Sequence, residues 1–404
     1  MKQIKNKTER IHSLDSLRAI MMLLGLVLHS SLTYNVTNHG NAWVIKDPES
    51  NYILTDFIVL LIHSFRMPIF FLVAGFFGSM LFYERGVIQM FKNRISRIVF
   101  PFIVFLFILS PIIYFSFSYT IAVFENQENP FVNSPQLFST IFVFTPKGTS
   151  HLWFLYYLIY VTLITSLLGL LLKKTKNISN KITNIFNWVI KRSITRIAFF
   201  SSFTFLILTY LETSMVNAST SFIPNLNTFV FYFFFYIVGW ILFKSKGLLN
   251  SFMKYDWQFV AFAVFLIITQ GLLIQYSGMD LKPNSNSAIL ISFNSIIVWL
   301  FIFGITGLFI RYGSKHSKRM RYISDSSYWV YLIHLPLTAI IPAFIWEFPL
   351  PALVKFIIVL SLTTLICFAT YHYLVRNTFI GKFLNGKKTP EKIKEKPVAN
   401  TVYN

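Results

Sequence analysis

Histidine, arginine and aspartate recur inside apolar runs of this chain at helical spacing, where they could move a proton or hold an anion. In Leu14–Val36 (LDSLRAIMMLLGLVLHSSLTYNV), Asp15 and Arg18 stand near one end of the run and His29 stands near the other. At about 100° and 1.5 Å per residue, the step from Arg18 to His29 makes three turns plus about 20°, so the two share a helix face about 16 Å apart. Asp15 and Met22 fall on the same stripe. An imidazole, with an ordinary pKa of about 6.5, suits proton removal from an alcohol at neutral pH. It can also carry an acyl group covalently. A polar stripe in a membrane-crossing helix has to face the bundle interior or a wet cavity.

Other candidates lie at a similar depth. His63 and Arg66 form an i, i+3 pair within the second apolar run. An arginine in such a run marks a site or an ion pair. Arg94 and Arg97 make an Arg-x-x-Arg step whose two guanidinium forks fit phosphate, although plain basic anchoring explains the spacing as well. His151 opens HLWFLYYL, where Trp153, Tyr156 and Tyr157 suit an interfacial aromatic belt. In SDSSYWVYLIHLP, Asp325 and His334 are about 900° apart on a helix and so lie on opposite faces, whereas Tyr331 and His334 share one. Ser326 and Ser327 read as caps of that helix beside Asp325. Glu212 is a lone acid at a helix end and a candidate counter-ion.

Several chemistries have no foothold. No His/Cys set has zinc spacing, so no metal site is expected, and neither a Gly-rich phosphate loop nor a Gly-x-Ser-x-Gly elbow occurs. The single cysteine, Cys367, excludes an intramolecular disulfide.

The elements that must position these residues are membrane helices. The 404 residues are 55% hydrophobic and only 13% charged, with 46 Phe, where soluble domains carry roughly 25% charge. Ten apolar stretches are long enough to span a bilayer: about 14–36, 53–83, 98–120, 151–172, 196–214, 226–244, 258–276, 288–311, 324–346 and 350–375. The expected fold is therefore an all-α, polytopic helical bundle. The second stretch, with Pro68 in its middle, should kink or tilt, and Gly75 and Gly78 should permit close packing.

The net charge of +21 belongs to alternate loops and not to a nucleic-acid surface. The N-terminal arm and segments 84–97, 173–195, 245–257 and 312–323 are basic, while 37–52, 121–150, 215–225, 277–287 and 347–349 are nearly free of Lys and Arg. By the positive-inside rule both termini should be cytoplasmic. Segment 173–195 reads as an amphipathic piece on the cytoplasmic surface, and 121–150 as a loop over a cavity mouth. The basic start lacks a small-residue cleavage site after it, which predicts an uncleaved first span. The expected organisation is a basic arm over 1–13, one transmembrane domain over 14–380 and a disordered Lys/Glu/Pro-rich tail over 381–404.

Taken together, LDSLRAIMMLLGLVLHS, HSFRMPIFFLVAGFF, Arg94–Arg97, HLWFLYYL and SYWVYLIHLP resemble the membrane-bound acyltransferase 3 family, in order, across about residues 10–375. The resemblance places the family's Arg-x10-His motif on Arg18 and His29, with the histidine catalytic. It places the Arg-x-x-Arg motif on Arg94 and Arg97, linked with acyl-donor binding. The Ser-Asp-Ser-Ser segment at Asp325 departs from the Gly-containing version of many relatives, and Arg66 stands where many acetyl-transferring relatives have histidine.

What the resemblance implies is transfer of an acyl group, succinyl first and acetyl next, from cytoplasmic succinyl-CoA or acetyl-CoA to a hydroxyl of a periplasmic or envelope glycan. The chain would sit in the cytoplasmic (inner) membrane with no permanently bound cofactor. Asp15, Arg18, His29 and His63 would form the catalytic set, and Arg66, His151, Asp325, Tyr331 and His334 would meet the acyl group or the acceptor. The rival readings are a secondary transporter for an anion or saccharide, and a non-catalytic scaffold for envelope glycan assembly.

Overall fold

The structure is a computed structural model that describes residues 11–133, 145–276 and 287–385. Among them every regular element is helical and no strand occurs. Hydrocarbon offers no partner for a backbone N–H or C=O, so a crossing segment must satisfy its own, and long apolar runs resolve into helices.

In chain order these are α1 (His12–Leu32), α2 (Ile53–Met80), α3 (Val87–Arg94), α4 (Phe100–Phe124), α5 (Pro130–Asn133), α6 (Trp153–Lys174), α7 (Lys176–Lys191), α8 (Ser193–Tyr210), α9 (Leu226–Lys244), α10 (Asp256–Tyr276), α11 (Ala288–Gly313), α12 (Lys318–Ile340), α13 (Ala352–Thr370) and α14 (Phe379–Asn385). A π-helical turn at 95–99 joins α3 to α4, and others end α2 at 81–85 and α13 at 371–375. Among the described residues ten stretches are long and apolar enough to cross a membrane, matching the ten runs of the sequence. The protein is an integral membrane protein.

α1 packs among α2, α11, α12 and α13, and α12 lies between α1, α4 and α13. The tightest seam joins α2 to α9. At Gly75 a side chain would overlap the Tyr236 carbonyl, and at Gly239 it would overlap the Leu72 carbonyl, so each helix offers a glycine to the other's backbone. The close packing expected at Gly75 is therefore present, and α2 runs without interruption through Pro68.

Three expectations need correction. The ninth span starts at Lys318, capped by Ser317, whose hydroxyl accepts from Met320 N at 3.3 Å. Ser326 and Ser327 therefore lie inside α12, buried, with hydroxyls donating back to the Ile323 and Ser324 carbonyls at 3.0 Å each. A charged first turn, Lys318–Arg321, hid that start. Trp153 and Tyr157 are buried and form no surface belt, because residues 215–225 fold over them: Asn225 N donates to the Tyr157 hydroxyl at 2.7 Å, and Tyr156 donates to the Phe222 carbonyl at 2.6 Å. Finally, the segment from 381 begins as helix α14 up to Asn385, and the rest of the tail lies outside the described residues. So do residues 1–10 and residues 134–144 of the 121–150 loop.

The loop from Thr33 to Tyr52 is fixed by a buried ion pair. Lys355 Nζ lies 3.0 Å from Asp47 Oδ2, with both side chains 1% exposed, and also donates to the Trp346 carbonyl at 2.9 Å. The other Asp47 oxygen accepts from Glu49 N and Ser50 N at 2.9 and 2.8 Å. This clamp holds the loop that carries His39 and Trp43 against α13.

Candidate functional site

α1 positions His29 in its last turn, and α12 brings His334 against it, with ring centroids 5.2 Å apart. His151, at the start of α6, stands edge-on to His334 at 5.5 Å and beside Tyr331 at 5.6 Å. α2 adds His63 and Arg66. These six side chains, with Met22, Phe70, Trp153 and Ala218 among others, line a cavity of about 90 Å³.

Arg66 owes its place to a glycine. Its Nε donates to the Met21 carbonyl at 2.9 Å, and a side chain on Gly25 would collide with its guanidinium. The arginine therefore lies flat on α1, one helical turn below His29. Among the described residues no carboxylate comes within 4.0 Å of it. A buried cation without an acid is costly unless an anion visits the site. That observation favours a ligand role for Arg66 over a structural ion pair.

The cavity joins a second, larger chamber of about 2280 Å³, and His29, His63, His151 and Trp153 line both. This vestibule lies among the loops poor in Lys and Arg, at 35–44, 145–150 and 215–221. Its wall mixes amides and aromatics: Asn35, Asn41, Trp43, Tyr114, Phe117 and Gln275. Trp43 stands 5.5 Å from His29, with Phe117 edge-on at 5.0 Å, and its indole N–H donates to Thr33 Oγ1 at 3.1 Å. Burial holds the His39 imidazole below its usual range, so near neutrality its Nε2 accepts from the Asn35 amide at 2.8 Å. Planar rings beside amide and hydroxyl groups suit a polyhydroxylated molecule.

The remaining sequence candidates fall elsewhere. Of the stripe Asp15, Arg18, Met22 and His29, only Met22 and His29 reach the cavity. Arg18 is 38% exposed, 3.7 Å from Asp15, and its guanidinium lies 5.6 Å over Phe77. A shared helix face does not mean a shared chamber at about 16 Å of axial separation. Arg18 and Arg85 are instead within electrostatic reach of Arg97.

Arg94 Nη2 donates to the Ala74 carbonyl at 3.3 Å. Arg94 and Arg97 thus stand at the basic end of the bundle, outside the cavity, and Ala74 lies about 12 Å along α2 from Arg66. Asp325 is also at that end, 3.8 Å from Arg321, with its carbonyl accepting from the Asn385 amide. Tyr331 and His334 share a chamber as their spacing predicts, and Asp325 is not in it. Glu212 is exposed in a left-handed turn (φ 53°) and lines neither chamber. Among the described residues no His/Cys/Asp/Glu group has metal-binding geometry.

Sequence reasoning missed Gly25 and Trp43. A glycine one turn before a membrane histidine was a usable signal for a close neighbour. Trp43 lay in a loop with no periodicity to place it.

Comparison with known proteins supplies the chemistry. An acyltransferase domain matches residues 11–372. The chain is 26% identical over 347 residues to glucans biosynthesis protein C of Escherichia coli O1:K1 / APEC, covering 83% of this chain and 84% of the relative. The proteins of the same name from E. coli O45:K1 (strain S88 / ExPEC) and E. coli (strain K12) match over the same share at the same identity. No solved structure matches the chain significantly. With that domain running from before α1 to the end of α13, over a bundle that encloses histidines and an unpaired arginine, the chain belongs to the acyltransferase 3 family of membrane O-acyltransferases.

Proposed function

We propose that the protein transfers a short acyl group, succinyl before acetyl, from cytoplasmic acyl-CoA to a hydroxyl of a periplasmic or envelope glycan in the bacterial inner membrane. The basic loops support cytoplasmic termini. On that orientation the vestibule opens to the periplasm, and Arg94 and Arg97, with Arg18 and Arg85 nearby, meet the coenzyme's phosphates from the cytoplasm. The relatives' name, glucans biosynthesis protein C, supports a glucan as acceptor. The observation that carries the reading is His29 lining both the small cavity and the vestibule.

The chemistry balances with the residues at hand. The acceptor hydroxyl gives its proton to an unprotonated His29 nitrogen as its oxygen bonds to the thioester carbonyl carbon. The C–S bond then breaks, and the departing thiolate takes the proton back, leaving an ester and free coenzyme A. In the covalent variant His29 holds the acyl group between two such steps. His63 is a second base candidate. Asp15 orients Arg18 at the donor end, and Asp325 sits at that same end.

Mass spectrometry of envelope glycans from cells with and without the protein reads the added mass and its carrier together. Purified protein should consume acyl-CoA when a glucan is present, and Arg94→Ala should raise the donor KM by about ten-fold through loss of a charge-assisted phosphate contact. Substrate flux without thioester consumption would instead identify a transporter. Unaltered glycans in cells lacking the protein would end the glycan reading.

Arg66 sets donor choice on this reading, since the far carboxylate of a succinyl group needs a cation in a low-dielectric chamber. Arg66→His should shift the succinyl-to-acetyl preference about 10- to 100-fold toward acetyl, the worth of about 1.5–3 kcal/mol for a charged hydrogen bond. Competition between the two donors measures it, and an unchanged ratio removes Arg66 from that role.

A further inference from the structure

Pro336 lies two residues beyond His334 in α12. Proline has no N–H, so the carbonyl four residues earlier, that of Leu332, loses its helical partner. That carbonyl stands 2.9 Å from Nε2 of His151. A carbonyl oxygen can only accept, so His151 Nε2 carries the hydrogen and Nδ1 keeps a bare lone pair. The same logic applies to His334 in the opposite sense. Its Nδ1 lies 2.7 Å from the Tyr331 carbonyl, so Nδ1 carries the hydrogen and Nε2 is bare.

Both rings are deeply buried, at 7% and 1% exposure. Among the described residues His151 Nδ1 and His334 Nε2 have no hydrogen-bond partner. Their ring centroids are 5.5 Å apart on the wall of the small cavity, next to His29. The Tyr331 hydroxyl donates to the His151 carbonyl at 2.7 Å, which ties the His151 backbone to the same helix. One turn of α12 therefore fixes the backbone and tautomer of His151 and the tautomer of its own His334.

A bare imidazole nitrogen buried from water asks for a hydrogen-bond donor, and leaving it unmet is costly. Two of them side by side ask for two donors on one ligand. We propose that Pro336 is a positioning residue that, through the Leu332 carbonyl, locks His151 in its Nε2–H form. His151 Nδ1 and His334 Nε2 then receive two neighbouring hydroxyls of the acceptor while His29 acts on one of them. The substrate class is a saccharide or polyol and not a monohydric alcohol. This rests on the reading of the cavity as the acyl-acceptor site.

The test uses full-length protein in detergent with 15N-labelled histidine, the His151 signals being assigned by their loss in His151→Asn. The parent should show His151 protonated at Nε2 only. Pro336→Ala restores an N–H that competes for the Leu332 carbonyl and should give a mixture of tautomers. The variant's KM for a short linear glucan should rise about ten-fold, with the donor KM unchanged. Cyclohexanol, which has one hydroxyl, should be a poor acceptor for both forms. Pro111→Ala removes a proline from α4 whose released carbonyl, Phe107, holds no side chain among the described residues, and should alter neither signal nor KM.

A His151 that stays protonated at Nε2 only in Pro336→Ala overturns the lock. So does a Pro111→Ala variant that reproduces the effect. Mixed tautomers with an unchanged glucan KM, or cyclohexanol accepted as well as glucan, overturn the two-hydroxyl role while the acyl-transfer reading stands. A parent protein that consumes no thioester fails that reading and the acceptor role with it, and the tautomer comparison still decides the lock.

Discussion

His29→Ala is expected to lower the rate of acyl transfer to glucan by about 10²- to 10⁴-fold, the usual contribution of a positioned general base. The donor KM should stay within a few-fold of the parent value, because Arg94 and Arg97 stand at the other end of the bundle, outside the cavity. Neighbours of His29 make the substitution tolerable for folding: its ring faces an existing cavity, and its Nδ1 makes no hydrogen bond that would be left broken among the described residues. Single-turnover transfer from radiolabelled acyl-CoA measures the effect. A rate within about three-fold of the parent would take the imidazole out of the reaction and point to His63 or His334. Intact-mass analysis without acceptor separates the two roles of His29, since only an acyl carrier gains mass.

The second large effect concerns stability. Lys355→Ala should destabilise the protein by about 3–5 kcal/mol, because it leaves the Asp47 carboxylate buried beside an uncompensated gap. Lys355→Met with Asp47→Asn removes both charges and should recover much of that loss, as neutral pairs of similar shape often do. Thermal unfolding in detergent compares the three. The single variant should also lose activity before it unfolds, since the pair anchors the loop that brings Trp43 to 5.5 Å from His29. A loss below about 1 kcal/mol would show that water or relaxation already supports Asp47 alone.

The ten spans were legible because lipid imposes one strong rule, that a crossing run must be long and apolar. His29, His63, Arg66 and His151 were legible for the converse reason, as ionisable groups are scarce in such runs. Tyr331 and His334 followed from a three-residue helical step. The resemblance grouped Arg18 with His29, although the two stand about 16 Å apart along α1 and Arg18 lies within electrostatic reach of Arg97 at the basic end of the bundle. Asp325 looked like part of a site because its helix started, by hydropathy, next to it; the true start is charged and six residues earlier than the apolar stretch. Trp153 and Tyr157 were assigned to the surface because aromatics near a membrane end usually belong there, and only the fold of 215–225 over them shows otherwise. The Pro336 device could not be read at all. It joins α6 to α12 through a carbonyl, and carbonyls have no letter in a sequence.

The two chambers meeting at His29 carry one more implication. A chamber of about 2280 Å³ that can take a sugar can also take water, a far more abundant nucleophile than any glycan. Where water reaches the imidazole together with the acceptor, partitioning between hydrolysis and esterification must be decided by how well each competitor is oriented there. The enzyme should therefore leak, slowly discharging its activated donor when no sugar is offered, and the ratio of leak to product is a direct gauge of how firmly the mouth aligns its guest.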